Sequence, residues 1–283
     1  MIQLYDKTSF EISKIITKSY STSFSLGIKL FSKDYREPIY NIYGFVRIAD
    51  EIVDTFFEHD RKYLFEKFRL DTIEAIQTGI STNPVLHSFQ RTVKEYEIDF
   101  ELIDSFLKSM EMDLVKSSYE NYEYNSYIYG SAEAVGLMCL KVFTKNSPQL
   151  FNKLKPYAQK LGSAFQKVNF LRDVKSDIET RGRIYFPDIN NINQLDNVLK
   201  KKFEAGIENE FNESLNGILK LPIGVRLGVF VAYIYYRTLF NKLKSKSIQE
   251  IRESRISVPN ITKLYLLIKS YFVIRVLKSN TIL

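Results

Sequence analysis

The chain has 283 residues, of which 45% are apolar and 26% charged, so it can bury a sizeable core and is not expected to be disordered. Its 11 glycines and 7 prolines argue against a sandwich, a propeller or a glycine-rich nucleotide fold. One cysteine and two histidines exclude an internal disulfide, a cysteine cage and a multi-histidine metal site, and they disfavour a serine–histidine triad. The net charge of +7 is spread along the chain, which disfavours a nucleic-acid partner.

The first residues, MIQLYDKTSFEISK, lack the basic start and apolar core of a signal peptide. No uncharged apolar run reaches the roughly 18 residues that cross a bilayer, and the longest candidate is 227–236. A cytoplasmic protein is therefore expected. Cys139 stands in the apolar run GLMCLKVF, which predicts a buried structural thiol.

Helical periodicity dominates the chain, and strand-like alternation is nearly absent. Five prolines stand near the starts of apolar-periodic segments, where proline suits the first helical turn: Pro38, Pro84, Pro148, Pro222 and Pro259. The predicted helices are 8–20, 36–57, 60–78, 84–96, 99–118, 125–144, 148–178, 194–219, 222–247 and 258–278. The clearest irregular segment is GRIYFPDINN, at 182–191. The prediction is one all-α helical-bundle domain over 1–283.

A polar stripe crosses an otherwise apolar helix at YNIYGFVRIADEIVDTFF, residues 40–57. Tyr43, Arg47, Asp50 and Asp54 follow one another at steps of four, three and four, which places them on one helix face. Such a stripe of tyrosine, arginine and two carboxylates is expected to face an internal cleft.

A second stripe occurs on the predicted helix of residues 161–177. Its members step by three, four and four: Gln166, Asn169, Asp173 and Asp177. Arg172 lies three residues after Asn169. Either stripe alone is a weak signal, because most Asp-x-x-x-Asp pairs are solvated, and arginine–aspartate pairs can also lock two helices together. Two such stripes in apolar helices favour function, because burial of unpaired charge is costly.

Magnesium-dependent handling of a diphosphate suits this arrangement. Mg²⁺ takes oxygen ligands and combines one or two carboxylates with substrate phosphate oxygens. Nearby arginines add bidentate phosphate contacts. Ionisation of the diphosphate leaves a carbocation, which an apolar and aromatic cavity shelters from water. The 19 tyrosines and 21 phenylalanines could line such a cavity, although an aromatic core would have the same composition.

Several segments together resemble the squalene/phytoene synthase family over nearly the whole chain. They are STSFSLGIKLF (21–31), YGFVRIADEIVD (43–54), MEMDL (110–114), YIYGSAEAVG (127–136), LGSAFQKVNFLRDVKSDIETRGRIYFP (161–187), AYIYYRTL (232–239) and RISVP (255–259). Glu51 stands where many members have a second aspartate. The chain is more similar to flavobacterial phytoene synthases than to the squalene branch.

The resemblance implies an isoprenoid synthase fold with a central cavity and a head-to-head condensation of two prenyl diphosphates. The leading expectation is phytoene from two geranylgeranyl diphosphates through a cyclopropylcarbinyl diphosphate, with Mg²⁺, or Mn²⁺ as a substitute, and without NADPH. The alternative is a squalene or dehydrosqualene synthase that uses farnesyl diphosphate. A non-catalytic helical scaffold is the rival from another class. A head-to-tail prenyltransferase is disfavoured, since its usual Asp-Asp-x-x-Asp spacing is missing.

The resemblance also implies residue roles. Asp50, Asp54, Asp173 and Asp177 are expected to ligate Mg²⁺, and Tyr127 is expected to be catalytic. Substrate contacts are expected from Ser21, Tyr43, Arg47, Gln166, Asn169, Arg172, Tyr235 and Arg255. Plainer alternatives are helix packing for Tyr127 and Tyr235, helix capping for Ser21 and an exposed position for Asp113. Arg252 competes with Arg255 for the C-terminal phosphate contact.

The lipophilic product implied by the resemblance must reach a bilayer. The segment 261–279 mixes a broad apolar surface with Lys263, Lys269, Arg275 and Lys278. Packing against the bundle is the ordinary expectation for this helix, and peripheral membrane docking is the alternative. The sequence leaves the oligomeric state open.

Overall fold

A computed structural model describes residues 1–145, 147–187, 189 and 191–279, with side chains described as far as 274. No strand occurs in this part of the chain, and the all-α prediction is confirmed. The helices are α1 (Ile2–Tyr20), α2 (Thr22–Lys29), α3 (Lys33–Asp54), α4 (Arg61–Thr78), α5 (Pro84–Glu95), α6 (Phe100–Val115), α7 (Asn121–Ile128), α8 (Val135–Phe143), α9 (Pro148–Glu179), α10 (Asn197–Ile218), α11 (Ile223–Lys244), α12 (Ile248–Glu253) and α13 (Asn260–Ser279). A π-helical turn, Tyr129–Ala134, joins α7 to α8, and a 3₁₀ turn covers Ile192–Gln194.

Most predicted helices are present with shifted ends, but α2 and α12 were not predicted. Both are short helices that begin at a serine cap. Ser21 ends α1, and its side chain accepts a hydrogen bond from the Phe24 N–H, 3.2 Å away, at the start of α2. Ser247 caps α12 in the same way. The predicted helix 125–144 is interrupted by the π-helical turn, which apolar periodicity does not reveal.

Two large apolar clusters form most of the core. One is built from α3, α5, α6 and α8, where the rings of Phe45 and Phe89 stack with centroids 3.9 Å apart. The other joins α9, α10 and α11 around Phe211 and Phe240. The middle of α9 packs on the π-helical turn: a Cβ built on Gly162 would lie 2.7 Å from the carbonyl oxygen of Ala132. The backbones therefore meet here without side chains between them.

Two glycines on α10 give a matched stability test. A Cβ on Gly217 would lie 2.2 Å from the Cβ of Tyr157, whereas nothing lies within 4 Å of a Cβ on Gly206. We expect Gly217→Ala to lower the free energy of unfolding by about 1–3 kcal/mol through overpacking. Gly206→Ala should raise it by about 0.5–1 kcal/mol through helix propensity. Urea denaturation measures the free energy of unfolding of both variants. Equal changes would contradict the close contact between Gly217 and Tyr157.

By length and composition alone, one helix in the described part of the chain, α11, could cross a membrane. Here α11 packs against α2, α9, α10 and α13, and Gly228, Tyr233 and Phe240 on it are buried. It also carries charged residues, including Arg226 and Arg237. These are properties of a core helix.

Candidate active site

An apolar cavity of about 280 Å³ lies inside the bundle. Side chains from α2, α8, α9 and α11 line it, among them Phe24, Phe31, Leu140, Phe143, Leu154 and Phe165. The polar groups on its wall include Ser23, Ser131 and Gln166. Cys139 also lines it, and burial raises the pKa of its thiol to about 12. The thiol is therefore unreactive near neutral pH, in agreement with a structural role.

The first polar stripe forms as predicted on α3. Arg47 pairs with Asp50 and with Glu51, and its guanidinium lies 4.3 Å from the centre of the Tyr20 ring. The Asp50 side chain is 35% exposed. Burial, reinforced by the charge of Asp54 and opposed by Arg47, raises its pKa to about 7. Glu51 thus serves as a partner of Arg47.

The second stripe lies on the C-terminal half of α9. Arg172 pairs with Asp173, and Arg255 approaches the same carboxylate with Nε 2.8 Å from Oδ1. Arg252 instead lies 3.4 Å from the side-chain oxygen of Asn193. The geometry thus places Arg255 on the second motif. Burial raises the pKa of Asp173, but Arg172 and Arg255 outweigh it and hold that pKa below its usual value.

Asp177 pairs with one arginine, Arg181, whereas Asp173 pairs with two. Burial is the main reason that its pKa rises to about 7, and the charges of Asp173 and Asp54 add to the effect against Arg181. Asp54 belongs to the first motif, so the two stripes share one electrostatic environment. The two motifs therefore lie side by side, and the region around their four aspartates is here called the cleft.

Two arginines that were not predicted as site residues connect the motifs. Arg181 Nη1 lies 2.7 Å from Asp177 Oδ1, and its Nε lies 3.0 Å from Asp54 Oδ2. Arg183 Nη1 lies 2.6 Å from Asp54 Oδ1. Their only sequence signal was their position in RGRIYFP, directly after the second motif. Arginine–aspartate pairs between the helices, an alternative left open above, are thus present beside the clustered carboxylates.

The RGRIYFP segment, residues 181–187, packs into the protein directly after the second motif. The N–H of Arg183 donates to Asp177 O, and the N–H of Ile184 donates to Ser117 O, both at 2.8 Å. The Tyr185 ring stacks on Phe170 with centroids 4.4 Å apart. These contacts anchor the backbone beside the second motif.

Asp113 is buried, contrary to the exposed alternative. Its carboxylate accepts hydrogen bonds from the hydroxyls of Tyr119 at 2.7 Å and of Tyr127 and Tyr185 at 2.8 Å. Arg183 lies 3.7 Å away. The prediction for Tyr127 changes accordingly: it is 3% exposed, lies outside the cavity lining and contacts Asp113. Its position suits a positioning residue, which acts through Asp113 and Arg183.

The remaining predicted residues link the cleft to the cavity. Ser21, the cap of α2, lies near the Tyr43 hydroxyl, and the Phe24 ring stacks on the Tyr43 ring with centroids 4.7 Å apart. Phe24 also lines the cavity. On α9, the side-chain nitrogen of Asn169 donates to the oxygen of Gln166, 3.3 Å away, and Gln166 reaches the cavity wall.

The predicted tyrosine of α11 has a more strongly engaged neighbour. Tyr235 lies beneath Lys263, whose Nζ is 5.3 Å from the ring centre. The Tyr236 hydroxyl donates to Asn169 Oδ1 at 3.3 Å, and its ring stacks on Phe165 at 4.0 Å. The YY pair in AYIYYRTL was the available signal, but it did not show which ring faces α9.

The donor chemistry of the cleft fits Mg²⁺ that arrives with a diphosphate. Within the described residues, no three His, Cys, Asp or Glu side chains are close enough to hold a metal ion by themselves. Mg²⁺ needs only one or two carboxylates when phosphate oxygens complete its shell. Burial, reinforced by neighbouring carboxylates, raises the pKa values of Asp50 and Asp177 to about 7, so a bound cation would favour their ionised forms. The available ligands are hard oxygens, as this ion requires.

Comparisons with known proteins identify the family. The family described as squalene/phytoene synthase matches residues 17–262. The chain is 32% identical to the phytoene synthase of Arthrospira platensis over 189 residues, which span 63% of this chain and 61% of that protein. It is 27% identical to the chloroplastic phytoene synthase 2 of Solanum lycopersicum, over 86% of this chain and 84% of that one.

Solved structures share the fold. A ligand complex of a dehydrosqualene synthase superposes with a TM-score of 0.82 at 21% identity, covering 96% of this chain and 98% of that one. Squalene synthase HpnC from Alicyclobacillus acidocaldarius gives 0.72 at 17% identity, over 86% and 95% of the two chains. The isoprenoid synthase fold is thus confirmed, and the family match extends from α1 into α13. This chain belongs to the squalene/phytoene synthase family, whose members are prenyltransferases.

Proposed function

We propose that the protein condenses two molecules of geranylgeranyl diphosphate head to head, through a cyclopropyl diphosphate, to give phytoene. The observation that carries the proposal is the pair of Asp-x-x-x-Asp motifs on α3 and α9 at one end of an apolar cavity. Phe24 and Gln166 connect the cleft to that cavity. A diphosphate in the cleft would therefore have its hydrocarbon tail in the cavity.

The polar residues of the cleft would bind and orient the diphosphates. Mg²⁺, held by Asp50, Asp54, Asp173 and Asp177, would neutralise phosphate charge and make diphosphate a better leaving group. Arg47, Arg172 and Arg255 would contact phosphate oxygens, with their present aspartate partners keeping them oriented. Ser21, Tyr43, Asn169 and Tyr235 lie around the same groups and would position the departing diphosphate.

The cavity would protect the carbocations that follow. Its wall is mainly apolar, so little water would be available to quench a cation. Phe24 and Phe165 border the cleft end, where their ring faces could stabilise positive charge. In phytoene formation the last cation loses a proton, whereas in squalene formation it accepts hydride from NADPH.

Two alternatives are distinguished by substrate and turnover. A squalene or dehydrosqualene synthase would use farnesyl diphosphate; the phytoene reading is supported by the names of the sequence relatives. A scaffold without catalysis would have no need for four motif aspartates in one cleft, so the site favours an enzyme.

A product assay tests the proposal. Purified full-length protein is incubated with Mg²⁺ and either farnesyl or geranylgeranyl diphosphate, with and without NADPH, and hydrocarbons are identified by mass-resolved chromatography. Phytoene from the longer substrate, unaffected by NADPH, is the expected result. Squalene or dehydrosqualene from the shorter substrate would replace the proposal with the first alternative. Folded protein without product would favour the scaffold.

We also propose that α13 docks on an anionic membrane surface, where lipophilic substrates and product would be exchanged. Its face towards α11 is packed by residues such as Leu266. Another face carries large apolar side chains that are at least 50% exposed: Ile261, Leu264, Tyr265, Ile268 and Phe272. From 254 to 283 the sequence has basic residues but no acidic ones. An apolar stripe flanked by positive charge suits anionic lipid. Arg275 and Lys278, also named in this prediction, have side chains outside the described residues.

Vesicle flotation tests the docking. The full chain should float with vesicles that contain phosphatidylglycerol and much less with phosphatidylcholine alone, and the triple variant L264S/I268S/F272S should stay in solution. The matched control L70S/V115S/V198S changes exposed apolar residues elsewhere and should still float. Unchanged flotation of the α13 variant would contradict the proposal. If the wild type does not bind vesicles but forms a dimer that the α13 variant loses, the exposed face of α13 is an interface between two copies of the chain.

A further inference from the structure

Arg181 is the side chain that ties one carboxylate of each motif into a single ion-pair group. Its Nη1 is 2.7 Å from Asp177 Oδ1 on α9, and its Nε is 3.0 Å from Asp54 Oδ2 on α3. Both carboxylates belong to the set that the proposed function assigns to Mg²⁺. One arginine therefore supplies positive charge to the carboxylates for which the metal would compete.

Arg183 also reaches Asp54, but it is held far more firmly. Its side chain is 3% exposed, and it donates to Val53 O at 3.2 Å and to the Tyr185 hydroxyl at 3.1 Å in addition to Asp54. Asp113 lies beside it at 3.7 Å. Arg183 thus has a fixed structural environment. It contacts the Val53 carbonyl and lies beside the Asp113 hub, which consists of Asp113 and the tyrosines that donate to it, Tyr119, Tyr127 and Tyr185.

Arg181 is held differently. Its side chain is 27% exposed, and its ion pairs are with the two motif carboxylates. Only the bond to Asp177 is well aligned, because Nε lies near Asp54 but is not oriented to donate a hydrogen bond. Among the described residues, departure of the guanidinium would break these two ion pairs and no other side-chain hydrogen bond.

The Arg181 side chain can change its partner without movement of the surrounding backbone. The residue lies just beyond the end of α9, and the next residue, Gly182, has a φ of +66°, a conformation that suits glycine. The chain is then anchored again by the bond from Arg183 N–H to Asp177 O. A long, flexible side chain on a fixed backbone can move between a carboxylate and a nearby phosphate by rotation alone.

We infer that Arg181 is a resident counter-ion that is exchanged during substrate binding. In the free protein it holds Asp54 and Asp177 together and opposes binding of a divalent cation alone. When a diphosphate enters with its metal, the guanidinium transfers to phosphate, for which its planar fork is well suited. Metal and diphosphate consequently bind together more readily than metal alone. This inference rests on the proposed metal-dependent function and specifies how its site is controlled.

Two binding measurements on the full chain give opposite signs for Arg181→Gln. With Mn²⁺ alone, followed by the electron paramagnetic resonance of the free ion, the variant should bind about tenfold more tightly than the wild type, because a competing charge is gone. With inorganic pyrophosphate in excess Mg²⁺, followed by calorimetry, it should bind about tenfold more weakly, because a phosphate contact is gone. Arg181→Lys keeps the charge but loses the planar fork. Its affinity should lie between those of the wild type and Arg181→Gln in both assays.

Arg255→Gln is the matched control, since it removes one positive charge from Asp173 without spanning the motifs. It should also weaken pyrophosphate binding, but it should change the affinity for Mn²⁺ alone much less than Arg181→Gln. Equal increases in both variants would mean general electrostatics and would overturn the inference. Weaker binding of both ligands to Arg181→Gln would assign it a purely structural role. If the wild type fails to bind pyrophosphate with Mg²⁺, the proposed function itself is wrong; if it binds normally and the variant is unchanged, only the inference is wrong.

Discussion

Asp50→Asn lowers the rate of hydrocarbon formation by about a hundredfold to a thousandfold, the usual loss when one preorganised group that stabilises charge at a reacting centre is removed. The expected thermal midpoint is unchanged or slightly higher. Burial already raises the pKa of Asp50 to about 7, so its charge contributes no net stability to the free protein near neutral pH. A neutral amide of the same shape therefore removes function while preserving the fold.

Single-turnover product formation and thermal unfolding, measured on the same preparations, check this expectation. Asp71→Asn is a suitable control, because Asp71 forms a surface pair with Lys67 on α4. It should leave both quantities nearly unchanged. Asp173→Asn should also abolish turnover, but with some loss of stability, because Asp173 pairs with Arg172 and Arg255. Full activity in D50N/D173N would contradict the proposed Mg²⁺ site.

The two stripes could be predicted because each lies within one helix. Steps of three and four residues fix which side chains share a face, so Tyr43, Arg47, Asp50 and Asp54 follow directly from the sequence. The same periodicity predicts the apolar back of α3 and of α9. Which face meets which neighbouring helix is tertiary information, and it came from the structure.

Two of the residues that were missed, Asp113 and Arg183, have partners distant in sequence. Asp113 contacts Tyr185 across 72 positions, and Arg183 contacts Asp54 across 129. No helical period relates such pairs. A lone aspartate or arginine usually occupies a solvated surface position. The segment 180–187 is irregular, so its direction depends on anchors such as Ser117 O. The contact between Tyr127 and Asp113 could not be identified from the sequence for the same reason.

Asp113→Ala lowers the free energy of unfolding by about 3–5 kcal/mol, the range for breaking a buried ionic group by removal of one partner. Three tyrosine hydroxyls lose their shared acceptor, and Arg183, itself 3% exposed, loses one of its two carboxylate neighbours. Urea denaturation provides the measurement. Asp113→Asn keeps an acceptor oxygen but not the charge, so about half of the loss is expected, in keeping with the smaller value of neutral hydrogen bonds.

Asp104→Ala on the same helix separates burial from charge. Asp104 pairs with Arg69 and Lys108 at the surface of α6, so its loss should cost at most about 1 kcal/mol. Similar losses of unfolding free energy for Asp104→Ala and Asp113→Ala would contradict a stabilising role for the Asp113 hub. The hub also fixes Arg183 against Asp54, so Asp113→Asn should weaken pyrophosphate binding in Mg²⁺ even at temperatures where the variant is folded. Under those conditions Tyr127→Phe, which removes one hydroxyl from the hub, should have a smaller effect in the same direction. A fall in the rate of hydrocarbon formation as large as that of Asp50→Asn would instead support the catalytic role predicted for Tyr127.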